Sequence, residues 1–287
     1  MIPPTLGAAL RAARSQLVQA LGLEATVAGL EAQILLSHVL NRPRAYLLAH
    51  PEAALSESNL AQFETLLKRR DLGEPIAYIT GQREFYGLAF SVTPDVLIPR
   101  PETELLVELA LEHIPQNKQM RILDLGTGSG IIGITLAKLR PLAHLTAVDA
   151  SREALVIARR NASALGTPNI TFIESNWFSA LDELSRFELI VANPPYVAEN
   201  DLHLQQGDVR FEPISALTAG PDGLDAIRHI AQTSLRFLHV SGRLLFEHGC
   251  DQEGLSQALL DALGYGDIAC YPDIGGQPRV SGGKKFQ

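Results

Sequence analysis

The strongest candidate for chemistry in the sequence is the tetrad Asn193-Pro194-Pro195-Tyr196, which begins one residue after the apolar run LIV at 189–191. The run predicts a buried strand, which the prolines end because neither can donate a backbone N–H. The Asn193 side-chain oxygen and the Pro194 carbonyl could each accept a hydrogen bond from one planar NH2 group, with the Tyr196 ring against its flat face. The tetrad therefore predicts a clamp for an amide or aromatic amine nitrogen, whose delocalised lone pair makes it a poor nucleophile. The alternative is a plain strand-ending turn, which Asn-Pro often opens.

A glycine-rich loop, LDLGTGSGIIG, lies between a predicted strand and a predicted helix. Gly126, Gly128 and Gly130 allow a sharp turn and a close approach of the backbone to a ligand. The free N–H groups at the start of the helix favour a carboxylate or phosphate. The spacing from Gly128 to Gly133 also satisfies the dinucleotide fingerprint, so the pattern leaves a dinucleotide and S-adenosylmethionine both open.

Two further side chains are expected at the same sheet edge. Asp149 ends the predicted strand HLTAVD, 23 positions after Gly126, close to the spacing of about 20 for a carboxylate that accepts from ribose hydroxyls. The alternative for Asp149 is an exposed helix cap. Trp177, the chain's only tryptophan, follows the next strand, where it could stack on an adenine or fill the core. Together these features predict a site for an adenosine-containing small molecule.

The elements that position these residues fall into three predicted regions. Residues 1–74 read as helices without a strand signal and form a small helical domain. Residues 75–100 contain IAYITGQREFYGLAFSVT, which predicts a β-hairpin linker. From 101 to 287 strands and helices alternate, which predicts an α/β domain with a mainly parallel sheet and helices on both faces. GDIACYPD and RVSGGKKFQ are expected to close that sheet as an antiparallel pair.

Composition excludes several classes of protein. The formal net charge of −8 argues against stable nucleic-acid binding through phosphate contacts. Cys250 and Cys270 are the only cysteines among 287 residues, which indicates a reducing, cytoplasmic setting. Arg11 and Arg14 interrupt the apolar pattern at the N-terminus, so neither a signal peptide nor a membrane span is expected. The histidines are scattered, and no metal site is expected.

The order of LDLGTGSG, VD and NPPY resembles the class I S-adenosylmethionine-dependent amino-methyltransferases. More closely, the chain is similar to the bacterial release-factor glutamine N5-methyltransferases, the HemK/PrmC family. The segments that carry this resemblance are GEPIAYITGQREFYGLAFSVTPDVLIPRPETELLV, SNWFSAL, NPPYV, HLQQGDVRFEP and LLFEHG.

The resemblance implies a seven-stranded Rossmann-like methyltransferase domain behind a helical substrate-recognition domain. It implies the cofactor S-adenosyl-L-methionine, converted to S-adenosyl-L-homocysteine, with its ribose at Asp149 and its adenine near Trp177. The loop residues implied to border its methionine end are Gly126, Thr127, Gly128, Ser129 and Gly130. Asn193, Pro194, Pro195 and Tyr196 would hold the glutamine amide of the Gly-Gly-Gln motif in class I peptide release factors, the proteins of translation termination. Catalysis is assigned to Asn193, Pro194 and Tyr196, with Asn193 also beside the cofactor.

Other interpretations and residues stay open at this stage. An NPPY-type methyltransferase could instead act on adenine N6 in DNA or RNA by flipping a base into the clamp. A cofactor-binding adaptor without activity is a further alternative. Arg210, Glu212 and Glu247 are candidates for site contacts without an assigned role. Asn176 stands where the family often has an acid before the tryptophan, and its amide oxygen could still accept from an adenine amino group.

Overall fold

The protein, described here from a computed structural model for residues 4–286, forms two compact units. The first runs to Gly81 and includes the later segment His203–Phe211, and the second comprises Gln82–Leu202 and the chain from Glu212 onward. The sequence-based boundaries at 74 and 100 stay predictions. No helix within 4–286 is both long and apolar enough to cross a membrane.

The first unit is built from helices that pack around a common apolar core. Their bounds are α1 Leu6–Leu21, α2 Ala25–Leu40, α3 Arg44–Ala49, α4 Glu57–Asp71 and α5 Ile76–Thr80. Fully buried core residues include Leu17, Leu35, Leu36, Leu47 and Phe63. The apolar residues recur at helical spacing along the longer helices, so that each helix turns one stripe toward the core.

One element differs from the sequence-based expectation. Ile76–Thr80 is helical, so the predicted strand there is wrong, and the hairpin begins only at β1 Gln82–Phe85 and continues in β2 Leu88–Ser91. The Pro75 carbonyl accepts hydrogen bonds from the backbone N–H groups that close the first turn of this helix, and Gly81 ends it at φ 71°. The fixed φ of proline suits a helix start, and glycine suits a helix end. Pro75 and Gly81 therefore override the β propensity of the segment between them.

The second unit contains a seven-stranded sheet, as the resemblance implied. Its strands are β3 Arg121–Leu125, β4 His144–Asp149, β5 Ile170–Glu174, β6 Phe187–Ala192, β7 Leu238–Glu247, β8 Gly266–Pro272 and β9 Pro278–Lys284. Their order is β5-β4-β3-β6-β7-β9-β8, parallel from β5 to β7 and closed by the expected antiparallel pair β8 and β9. Its helices are α6 Glu104–His113, α7 Ile131–Leu139, α8 Arg152–Leu165, α9 Asp225–Phe237 and α10 Glu253–Ala262.

The register of the central strands decides where the site lies. Leu125 at the end of β3 is paired with Val148 of β4 and with Ala192 of β6. The residues that follow these three positions, Gly126, Asp149 and Asn193, therefore leave the sheet side by side. From β3 the chain adds β4 and β5 on one side of the sheet and then β6 and β7 on the other side. Open α/β sheets bind ligands at the edge where the strand order reverses in this way.

Candidate active site

A cavity of about 690 Å³ opens at this sheet edge. Three of its walls are the glycine loop after β3, the turn after β4 and the segment after β5. The others are the NPPY tetrad, the chain around Pro94–Leu97, the segment from Pro213 to Ala219 and the start of α9. The predicted site residues in contact with it are Gly126, Gly128, Asp149, Trp177, Asn193 and Pro195. The remaining ones, Thr127, Ser129, Gly130, Pro194 and Tyr196, do not line it.

The glycine loop is held in a left-handed conformation that side chains disfavour. Gly126 has φ 69° and Gly128 has φ 56°, and both present their backbone to the cavity. A Cβ atom on Gly128 would meet no other atom within 4 Å, so backbone conformation rather than crowding requires glycine there. The loop can therefore bring peptide groups directly against a ligand.

A buried carboxylate, which the sequence analysis missed, holds the loop from behind. Asp124 Oδ2 accepts hydrogen bonds from Thr127 Oγ1 at 2.6 Å and from the Gly133 N–H at 3.0 Å. Burial raises the pKa of Asp124 to about 6, although both hydrogen bonds oppose the rise. Thr127 thus turns its hydroxyl inward, and the Ser129 carbonyl accepts from Asn161 Nδ2 at 2.9 Å. The sequence signal for this support of the loop was the acid between the apolar residues of the strand RILDL.

Asp149 connects the turn after β4 to the glycine loop. Its Oδ2 accepts from the Gly128 N–H at 2.8 Å, and its Oδ1 accepts from the Ser151 N–H at 2.8 Å. Ser151, not Asp149, caps α8, because Ser151 Oγ accepts from the Ala154 N–H. The interpretation of Asp149 as a simple helix cap is therefore wrong. Burial raises its pKa, and the backbone hydrogen bonds counteract that shift.

Trp177 lies across the glycine loop. A Cβ atom on Gly126 would come within 3.4 Å of the indole ring. Trp177 has φ 52°, and Ser175 Oγ supports this conformation by donating to the Trp177 carbonyl at 2.8 Å while accepting from the Ala180 N–H at 3.0 Å. The ring packs partly on the core and also faces the cavity beside Asn176. Its two suggested roles, core and ligand contact, are thus compatible.

The tetrad places one polar side chain in the cavity wall. Asn193 Nδ2 donates to Thr103 Oγ1 at 3.1 Å, while Asn193 Oδ1 makes no hydrogen bond to the residues between 4 and 286. Pro194 is buried. Tyr196 packs beside the core, and its hydroxyl donates to Glu247 Oε1 at 3.2 Å. Substrate contacts of Pro194 and Tyr196 stay predictions.

The acidic loop residue Glu212 supports a neighbouring wall. Its carboxylate is buried, accepts from the Ile98 N–H at 3.0 Å and forms an ion pair with Arg100. It therefore fixes the chain just after the cavity-lining segment Pro94–Leu97. Arg210 lies in the first unit, where its guanidinium donates to the Leu72 carbonyl at 3.1 Å. In the described part of the chain, no cluster of His, Cys, Asp and Glu side chains could hold a metal ion.

Comparisons with known proteins agree over nearly the whole length. Residues 8–81 match the family described as PrmC N-terminal domain, and residues 103–209 match the methyltransferase small domain. The chain is 48% identical over 280 residues to the release factor glutamine methyltransferase of Vibrio cholerae, covering 98% of this chain and 96% of that protein. The Escherichia coli protein of the same name is 48% identical over 258 residues, covering 90% and 92% of the two chains.

A solved structure supports the fold independently. The catalytic domain of hMettl16, in complex with a MAT2A 3'UTR hairpin, superimposes with a TM-score of 0.56 at 17% identity, covering 77% of this chain and 82% of that one. At that identity the likeness concerns the fold alone. The extent and level of the sequence matches settle the family: this chain belongs to the release factor glutamine methyltransferases.

Proposed function

We propose that the chain transfers a methyl group from S-adenosyl-L-methionine to the side-chain amide nitrogen, N5, of the glutamine in the Gly-Gly-Gln motif of class I peptide chain release factors. The observation that carries the proposal is that Asp149, the glycine loop and the Asn193 side chain all line a single cavity. A ligand bound at Asp149 and the glycine loop would thus share this cavity with a second ligand bound at Asn193. The family relationship supplies the identity of the acceptor.

The residues of the cavity fit the cofactor. Its volume of about 690 Å³ lies within the range of roughly 300–1,000 Å³ common for small-molecule sites. Asp149 would accept from the ribose hydroxyls, since each of its oxygens retains a lone pair after binding one backbone N–H. Asn176 would accept from the adenine amino group beside the Trp177 ring. When bound, the cofactor supplies a methyl carbon made electrophilic by its sulfonium.

Asn193 would orient the acceptor nitrogen. Because Nδ2 is held by Thr103, Oδ1 is the atom left to accept a hydrogen bond in the cavity. With the Pro194 carbonyl as the second acceptor, both hydrogens of a glutamine NH2 group would be fixed, which sets the direction of the nitrogen lone pair. Positioning of this kind contributes much of the acceleration when two reactants must meet.

We also propose the partners and the division of labour along the chain. Residues 1–74 would recognise the release factor, residues 75–100 would form a linker, and residues 101–287 would carry out methyl transfer in the cytoplasm. A family description distinct from that of the methyltransferase region supports a separate role for the helices. An intact release factor should then be methylated far more efficiently than a short peptide with the same Gly-Gly-Gln motif.

Mass spectrometry of a purified class I release factor tests the proposal. After incubation with the protein and S-adenosylmethionine, the motif glutamine should gain the mass of one methyl group. A factor whose motif glutamine is replaced by glutamate serves as the control and should gain nothing. An unmodified motif glutamine, or methyl transfer to an adenine-containing oligonucleotide instead, would contradict the proposal.

A further inference from the structure

We propose that Thr103 and Glu247 are positioning residues that decide which way the Asn193 amide faces, so that its oxygen and not its NH2 group points into the cavity. The inference rests on the proposed function, because it assigns a role to residues behind the clamp. Neither residue lines the cavity, so any effect on catalysis must act through Asn193 and Tyr196.

The two residues are buried behind the tetrad, and each accepts one hydrogen bond from it. Thr103, in the 3-10 turn that precedes α6, has no exposed surface, and Glu247, at the end of β7, is 1% exposed. Asn193 Nδ2 donates to Thr103 Oγ1 at 3.1 Å, and Tyr196 OH donates to Glu247 Oε1 at 3.2 Å. The Thr103 side chain also lies close enough to the Glu247 carboxylate to lower its pKa. Thr103 and Glu247 thus contact the two ends of the tetrad.

The chemistry of the groups gives these contacts a direction. An ionised carboxylate only accepts hydrogen bonds, so Tyr196 donates to Glu247, and a Thr103 hydroxyl that bonds to Glu247 must donate as well. Glu247 Oε2 is buried and makes no hydrogen bond in the described chain, so it is the free acceptor available to the Thr103 proton. Once its proton is committed, Thr103 Oγ1 can only accept from Asn193. The amide must then present its NH2 group to Thr103 and its oxygen to the cavity.

Shape alone would not fix this orientation. The oxygen and the NH2 group of a carboxamide occupy similar space, so a half-turn of the Asn193 side chain would change little in packing. It would, however, place a donor opposite the hydrogens of the substrate NH2 group. Buried networks in which every donor has a fixed acceptor specify a single arrangement, and this one selects the orientation that can bind substrate.

The charge on Glu247 depends on its surroundings. Burial raises the pKa of Glu247 to about 7, and the nearby charge of Glu102 adds to that rise. Hydrogen bonds from Thr103 and Tyr196, together with the charge of Arg279, oppose it. Below the pKa, a protonated Glu247 can itself donate a hydrogen bond, and Thr103 is no longer compelled to accept from Asn193. Turnover should therefore rise as the pH increases through about 7.

The test compares Thr103→Val, Thr103→Ser and Glu247→Gln in the full chain, with methylation of a release factor and binding of S-adenosylmethionine measured separately. Thr103→Val should lower kcat roughly tenfold to a hundredfold, the range known for removing the hydrogen-bond partner that orients a metal-ligating side chain. Thr103→Ser should restore kcat to within a few-fold, because it keeps the hydroxyl. Glu247→Gln should lower kcat and remove its rise around pH 7. Cofactor affinity should stay within threefold in all three variants.

The outcomes separate this inference from the proposed function. If the unmodified chain fails to methylate the release factor, the proposed function fails first. If it does methylate, the inference is overturned when Thr103→Val keeps its kcat, or when Glu247→Gln keeps the unmodified pH profile. It is also overturned when Thr103→Ser is as impaired as Thr103→Val, or when lost activity follows lost cofactor binding, since both results indicate a general structural role.

Discussion

Replacing Asp149 by asparagine tests the cofactor end of the cavity. Asp149 uses its two oxygens to accept from the Gly128 and Ser151 N–H groups, both at 2.8 Å. Asparagine has one oxygen and an NH2 group, so one of these backbone donors loses its acceptor and faces another donor. The variant keeps the size of the side chain, and the change is therefore confined to charge and hydrogen bonding.

The expected loss of affinity follows from the bonds involved. A hydrogen bond to a charged group contributes about 1.5–3 kcal/mol, and the carboxylate is expected to make one such bond to the ribose. Since about 1.4 kcal/mol corresponds to a factor of ten, Asp149→Asn should weaken S-adenosylmethionine binding by about tenfold to a hundredfold. The loss of folding stability should be smaller than this loss of binding free energy. The neutral asparagine side chain does not bury a charge, whereas burial of the charged carboxylate is what raises the pKa of Asp149.

Isothermal titration calorimetry with S-adenosylmethionine measures this difference. Glu153→Gln is the matched control, because Glu153 is an exposed carboxylate at the edge of the same cavity and binds no backbone N–H of residues 4–286. It should bind the cofactor within about threefold of the unmodified chain. Equal affinity in Asp149→Asn and the unmodified chain, or an equal loss in both variants, would refute the assignment of Asp149 to the cofactor.

Three further predictions concern the cofactor wall and the stability of each unit. Trp177 is the only tryptophan and lines the cavity, so adding S-adenosylmethionine should change its fluorescence, and an unchanged spectrum at saturation would contradict its placement. Burial raises the pKa of Asp124 from 3.8 to about 6, so its contribution to stability falls as the pH rises through this interval. Urea unfolding should therefore show that the free energy of unfolding of Asp124→Asn rises relative to that of the unmodified chain between about pH 4 and pH 6. A difference between the two free energies that does not change with pH would contradict this prediction. Arg70, whose side chain is 5% exposed, pairs with Glu31 and Asp208 at 2.8 Å each, so Arg70→Met should lower the free energy of unfolding by about 3–5 kcal/mol; a loss below 1 kcal/mol in urea denaturation would show that the pairs matter little.

Local sequence patterns predicted the sheet edge and the part of the cavity wall that lies at the ends of the central strands. Apolar runs identified the strands, and the residues at the carboxyl ends of β3, β4 and β6 were the polar or glycine residues singled out for chemistry. This worked because the carboxyl ends of parallel strands meet at one edge. The register, with Leu125 opposite Val148 and Ala192, brings those residues together.

The sequence named Glu212 and Glu247 as candidates, but the pairings that support the site were beyond its reach. Thr103 and Asn193 are 90 positions apart, and Tyr196 and Glu247 are 51 apart, so no periodic pattern links them. The helix at Ile76–Thr80 was missed because its aromatic and β-branched residues favour strands, whereas Pro75 and Gly81 determine its ends. The return of His203–Phe211 to the first unit likewise depends on long-range pairs such as Arg70 with Asp208.

The most direct test of the account concerns the Asn193 amide itself. In Asn193→Ala, S-adenosylmethionine should bind within a few-fold of the unmodified chain, while single-turnover methylation of a release factor should slow by at least about a hundredfold, comparable to the loss of one preorganised hydrogen-bonding group at a reacting centre. Methylation at the normal rate in this variant would contradict the claim that a fixed side-chain oxygen positions the acceptor nitrogen.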